Sequence, residues 1–200
     1  MLALSAAGAQ AAPQLYRFDR VHTQILFSVG HDGFSSGMGM LHVAAGWLRF
    51  DPDDWSASAA ELDIDLAGVD MGDADWNRTL RGSGLLDVKK HRYAHFVSTR
   101  VKRTGKDEGL LEGKLTLRGV TRPVRIAFRL NRLAPTIFAF GKTLAGFSAS
   151  TQLEREDFGI TRNSGSIGHR VHVRLEVEAE RDPNAQEIYR QWAARHADAD

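Results

Sequence analysis

The sequence predicts an all-β protein: eight antiparallel strands closed into a barrel, with a short helix near 73–82 and a C-terminal helix near 184–196. Three observations carry this. Apolar and polar residues alternate with a period of two over most of the chain from Tyr16 onward, which marks half-buried antiparallel strands. Eight such segments are separated by stretches rich in Gly, Pro and Asp. A chain of 200 residues is long enough for one domain with a sizeable core. The domain reading is a leader remnant at 1–12, a barrel at 16–181 and a helical extension at 182–200.

The first strand, 23–29, places Thr23, Ile25, Phe27 and Val29 on one face. The second, 38–50, does the same with Leu41, Val43, Ala45 and Trp47. "FDPDDWSAS" then turns the chain through Pro52. Leu62, Ile64 and Leu66 alternate with Glu61, Asp63 and Asp65, so the carboxylates read as a solvated face. Alternation stops in the middle of the chain. There Asp73 or Asp75 is suited to cap a short helix through Trp76 and Leu80, ended by Gly82 and Gly84. Strands resume at 95–102, 110–118, 124–130, 143–153 and 169–180. "TGKDEG" reads as a hairpin connection. "RGVTRP" reads as a turn, with Pro123 opening the next strand. In the last strand Val171, Val173, Leu175 and Val177 oppose Arg170, His172, Arg174 and Glu176. Beyond Pro183, Ile188, Tyr189 and Trp192 recur at helical spacing.

Closing eight strands into a barrel removes their exposed edges, although a two-sheet sandwich shares the same period. A barrel of this size is either filled by side chains or holds one small ligand. Ala45, Gly113, Ala145 and Ala149 are small inward candidates that leave volume. The candidate ligand contacts are Ile25, Phe27, Val29, Trp47 and Ile64 from the first half. Leu115, Leu117, Ile126, Phe128, Phe147 and Val173 come from the second. His22 and His31 are candidate headgroup contacts.

Other chemistry is weakly signalled. The net charge of +1 gives no case for nucleic acid. No cysteine is present, so disulfides and thiolate metal sites are excluded. The eight histidines form no HExxH pair, and His169 and His172, three apart on a strand, face opposite ways; no metal is expected. There is no GxSxG nucleophile motif. "SGMGM" and "RGSGLL" lack the strand–loop–helix setting of a phosphate-binding loop. "AQA" at 9–11, after a run of small apolar residues, resembles a leader-peptide cleavage site, so the expected location is periplasmic or secreted. The residues alone thus suggest a secreted barrel with an oily interior and no evident catalytic centre, which suits a non-enzymatic carrier. The alternatives are a barrel enzyme of isomerase or dehydratase type, needing an inward acid or base such as His42 or Arg100, and a filled-core stress-response partner protein.

Several motifs carry a family resemblance. "FDRVHTQILFSVGHDGFSSGMG" at 18–39 resembles the opening of the YceI-like family through Asp19, His22, Thr23, Phe27, Ser28 and His31. "GKLTLRGVTRPV" is similar to its Gly-x-Leu-Thr-Leu-x-Gly-Val-Thr-x-Pro stretch. Arg155, Asp157, Phe158, Gly159 and Ile160 match its Arg-x-Asp-Phe-Gly-Ile signature. "IGHRVHVRLEVEAE" resembles its closing strand. The resemblance spans roughly 16–180. It implies a lipocalin-like, eight-stranded barrel in the periplasm that binds a polyisoprenoid lipid or quinone inside, with no separate cofactor. It also implies a homodimer, and transient contact with a membrane surface is expected of a carrier of such a lipid. Three features depart from the family pattern near 74–96: Thr79 replaces a usual His, "GLLDV" an aromatic "DFFDV", and Arg92 a usual Pro.

Overall fold

The computed structural model describes residues 13–196, so the leader-like segment at 1–12 lies outside the described residues. Nine strands form one antiparallel sheet: β1 (Gln14–Phe18), β2 (Gln24–His31), β3 (Ser35–Phe50), β4 (Ala59–Asp70), β5 (Tyr93–Arg103), β6 (Glu108–Leu117), β7 (Val120–Pro135), β8 (Thr143–Glu154) and β9 (Ile167–Arg181). The order is β3-β2-β9-β8-β7-β6-β5-β4, and β4 pairs back onto β3 to close the ring. The barrel therefore has eight places, as expected, but nine segments. β1 and β2 share one place, since both pair with β3 and β9.

The break between them is built by side chains. Asp19 N–H and the Thr23 hydroxyl both donate to the Glu178 carbonyl, each at 2.9 Å, so residues 20–22 leave the wall as a small excursion. The Asp19 carboxylate accepts from Val21 N–H at 2.8 Å and His22 N–H at 3.1 Å. β1 is too short to read alone from its period.

Two further expectations need correction. Between Val43 and Ala45 the β3–β4 register shifts: Val43 faces Ile64, whereas Ala45 faces Asp63. One extra residue reverses the alternation. Leu41 and Val43 point inward, then Leu48 and Phe50 do, while Ala45 and Trp47 face outward. The second correction concerns "RGVTRP". The turn is only Arg118 and Gly119, with φ of 53° and 73°, as the type I′ turns of tight hairpins require. The β6–β7 ladder then runs unbroken from Leu117–Val120 to Glu108–Arg129. Pro123 lies within β7 opposite Lys114, and β8 joins only from Ala127, so the proline occupies a stretch with a single partner strand.

Helix α1 (Ala74–Arg81) is capped by Asp73, whose carboxylate accepts from Asp75 N–H at 3.0 Å and Trp76 N–H at 2.9 Å. Helix α2 (Ala185–His196) lies on the outer wall over Ala45, Trp47 and Ala59, burying Ala185 and Tyr189. This overturns the solvated reading of Asp63. Under α2 that carboxylate is buried, accepts from the Tyr189 hydroxyl at 2.6 Å and lies 3.2 Å from His95 Nδ1. Burial, with Asp63 beside it, pushes the Tyr189 phenol upward, so it stays a donor.

Candidate functional site: an apolar chamber

The wall residues converge on a chamber of about 630 Å³ along the barrel axis. Ile25, Phe27 and Val29 from β2, Ile64 from β4, and Leu115 and Leu117 from β6 line it. So do Ile126 and Phe128 from β7, Phe147 from β8 and Val173 from β9. Trp47, turned outward by the bulge, does not; its indole N–H donates to Glu61 at 3.2 Å on the outer wall. Small residues act unequally. Ala149 lines the chamber, Ala145 is packed into its base, and Ala45 faces α2. Gly113 opens no space, because the Phe96 ring lies against it: a Cβ there would sit 2.5 Å from the ring and 2.6 Å from the Val97 carbonyl. Phe27 lies across Gly39 in the same way. Such glycines let the rings lie against the wall and leave the axis clear.

The two ends differ. At the base, Tyr16, Phe50, Trp55 and Phe147 are buried in one cluster. Phe50 meets Trp55 and Phe147 edge-on, with ring centroids 5.6 and 5.3 Å apart, and Trp55 stacks on Phe128 at 5.4 Å. These geometries favour aromatic pairs, and they form a floor.

Of the exposed lining residues, Asp32, Trp76, Thr79, Asn163 and Ser166 gather at the other end, and Arg49 alone lies beside the base. This mouth is framed by α1, by Leu85 and Leu86 after it, by the β2–β3 turn, and by the loop joining β8 to β9. The departures at Thr79 and at Leu85–Leu86 thus fall on the mouth. His31 also lines it and packs on Trp76, ring centroids 5.5 Å apart. Asp32 N–H donates to the Ser166 carbonyl, tying the turn to the loop.

Arg155 organises that loop, and its role was not legible beforehand. It is buried at 4% exposure and donates to four carbonyls: Gly168 at 2.8 Å, Ile167 at 2.9 Å, Arg162 at 3.1 Å, and Ile160. The Arg-x-Asp-Phe-Gly-Ile signature was its only trace in the sequence. Phe158 and Ile160 from the same signature line the chamber.

His22 is absent from the chamber wall. Its Nδ1 lies 2.8 Å from Asp19 Oδ2 on the outside of the barrel, and that hydrogen bond and charge raise its pKa. Asp19, His22 and Glu178 bring three potential ligand atoms within 4.8 Å of one another. Asp19, however, is already engaged by three donors from residues 21 and 22, which accounts for the cluster structurally. Neither His42 nor Arg100 lines the chamber.

These features define a class: a closed antiparallel barrel with an apolar chamber, floored by aromatics and open at one end. The YceI-like domain matches residues 16–179, and the chain belongs to that family. It is 34% identical over 178 residues to a UPF0312 protein of Azotobacter vinelandii, covering 89% of this chain and 92% of the relative. It is 36% identical to a UPF0312 protein of Pseudomonas paraeruginosa, covering 88% and 91%. Among solved structures, Burkholderia cenocepacia BcnA superposes with a TM-score of 0.70 at 19% identity, over 80% of this chain and 98% of BcnA. A polyisoprenoid binding domain from Saccharophagus degradans, implicated in plant cell wall breakdown, superposes at 0.62 with 14% identity, over 84% and 98%. At these identities the likeness concerns the fold. α2 lies beyond the matched residues.

Proposed function

We propose that the protein is a non-enzymatic carrier of an isoprenoid lipid, of polyprenyl or quinone type, held in the barrel interior. The observation that carries this is the continuous apolar chamber of about 630 Å³. That volume lies in the ~300–1,000 Å³ range of small-molecule sites. Burying an apolar chain contributes roughly 0.8 kcal/mol per CH₂, reduced by the entropy of ordering it. Ile25, Phe27, Val29, Ile64, Leu115, Leu117, Ile126 and Val173 would contact the chain along the wall, and Phe128 and Phe147 its end at the floor. The headgroup would sit at the mouth near His31. The lipid is the bound ligand and no cofactor is invoked. The family membership and the polyisoprenoid-binding structural neighbour support this lipid class. The same reading places the protein in the periplasm or outside the cell, meeting a membrane surface transiently and self-associating as a homodimer.

The test fills the chamber. Ala149→Phe and Val173→Phe put a ring on the axis without adding charge. Uptake of ubiquinone should fall at least tenfold in both, while Arg174→Ala on the outer face binds as wild type. Unchanged uptake in the two filled variants, with their melting temperatures retained, would contradict the proposal.

A further inference from the structure

The β7–β8 hairpin ends in an apolar tip that, among the described residues, belongs to none of the core clusters. Ile137, Phe138 and Phe140 are 84%, 90% and 98% exposed, although they follow one another within four residues. The tip is a built structure. Thr136 caps a single 3-10 turn at 137–139, its hydroxyl accepting from Phe138 N–H at 3.3 Å. Gly141 N–H donates to the Thr136 carbonyl at 2.9 Å and Lys142 N–H to that of Ala139 at 3.0 Å. Phe140 has φ of 52°, in the left-handed region that a bulky residue rarely occupies. Contiguous exposed apolar groups mark an interaction surface, and an unfavourable backbone held at such a surface points to use.

Charge identifies the partner. Residues 114–153 contain seven Lys and Arg and no Asp or Glu, in a chain whose totals are 26 and 25; the remainder therefore carries an acidic excess of six. Arg125 and Arg129 are exposed on the outer side of β7, opposite in parity to the chamber-lining Ile126 and Phe128, and the register shift between Leu130 and Arg132 brings the exposed Arg132 to the same outer side. They run toward the tip over roughly 23 Å at the ~3.3 Å rise of a strand. Arg125 pairs with Glu112 at 3.5 Å, and Lys142 pairs with Glu180. Among the described residues Arg129 and Arg132 form no ion pair. On β8 the residues opposite Arg129 and Arg132 are Ser148 and Gly146, both neutral, and the strand's one acidic residue, Glu154, lies at its far end paired with Arg170; on β6, Glu108 stands opposite Arg129.

We infer that this hairpin docks the protein on an anionic lipid bilayer. Ile137, Phe138 and Phe140 enter the headgroup–acyl boundary, and Arg129 and Arg132 meet acidic headgroups. Apolar insertion and basic flanks act together in such contacts. The barrel then lies on its β7 wall, with the mouth opening alongside the membrane. The surface is separate from the chamber, so docking and guest uptake can be read independently.

The experiment is flotation of the full-length protein with vesicles of phosphatidylcholine containing a minority of phosphatidylglycerol. Wild type should float with these vesicles, and less so as salt rises from about 0.1 M to about 1 M. Phe138→Ser/Phe140→Ser should float at least tenfold less. Arg129→Ser/Arg132→Ser should lose its preference for anionic over pure phosphatidylcholine vesicles. Val21→Ser, an exposed apolar side chain in the 20–22 excursion and outside the chamber lining, should match wild type, and all variants should keep their melting temperature and ubiquinone uptake. Three results would overturn the inference: wild type that stays unbound, tip variants that float like wild type, or a tip whose loss instead dissociates a dimer in sedimentation.

Discussion

The floor and the mouth of the chamber each carry a tryptophan and hold it in opposite ways. At the floor Trp55 is 3% exposed and its ring lies between Phe50 and Phe128, with the Arg103 guanidinium 4.9 Å from the indole. At the mouth Trp76 is 44% exposed, and among the described residues its one aromatic neighbour is His31. The floor turns aromatic area into mutual packing, and so into stability. The mouth leaves its aromatic surface unspent, where an incoming chain can cover it. Stability and access are thereby assigned to opposite ends of one barrel.

The comparison breaks most sharply on the two tryptophans. Trp55→Ala should destabilise the fold by about 3–5 kcal/mol in chemical denaturation, because it opens a cavity in a packed cluster. Trp76→Ala should cost under about 1 kcal/mol, as most surface changes do, yet speed guest release in stopped-flow exchange. Equal destabilisation by both would remove the distinction.

Two glycines sharpen it. A Cβ on Gly109 would stand 2.4 Å from the Phe128 ring and 2.9 Å from Trp55, both wedged in the floor. Gly109→Ala should therefore cost about 1–3 kcal/mol, the usual range for overpacking. On Gly39, near the mouth, a Cβ would meet Met71 Sδ and the Phe27 ring, each at 2.5 Å. The thioether can swing away, so Gly39→Ala should cost less than Gly109→Ala and should slow guest entry. Thermal melts and entry kinetics on the pair check both halves.

The outer wall supplies a reference belonging to neither end. Tyr189→Phe leaves the buried Asp63 without its 2.6 Å donor, at an expected cost of about 1–3 kcal/mol with uptake unchanged. The smallest expected effect is electrostatic. The Ser148 hydroxyl donates to Glu176 at 2.6 Å and holds its carboxyl below the ordinary range. A lowered carboxyl pKa stabilises the fold above the unfolded value near ~4.3, and that stability is lost as pH falls through the folded value. Ser148→Ala should thus be less stable than wild type at neutral pH and converge with it in acid. A constant difference across the titration would refute this.

The strand period made the barrel legible, since one polar and one apolar face follow directly from alternation. What it could not show were single-residue insertions. Around the β3 bulge the sequence reads Val43, Ala44, Ala45, Gly46, Trp47, so either parity is apolar and period alone puts Trp47 inward. β1 was hidden because the Asp19–Thr23 excursion interrupts its wall. Asp63 read as solvated because its cover, Tyr189, arrives 126 residues later. Inward positions on regular strands, such as Ile25, Ile64 and Val173, were legible from local pattern alone. The mouth was not, because Arg155 acts through carbonyls of a loop whose path no period encodes.

The central claim is that the chamber carries an isoprenoid chain. Its most direct test is native mass spectrometry of protein purified from a bacterial periplasm, with organic extraction of whatever co-purifies. The account predicts a stoichiometric isoprenoid quinone or polyprenyl lipid, displaced in Val173→Phe. Apo protein that also takes up no added quinone would contradict it.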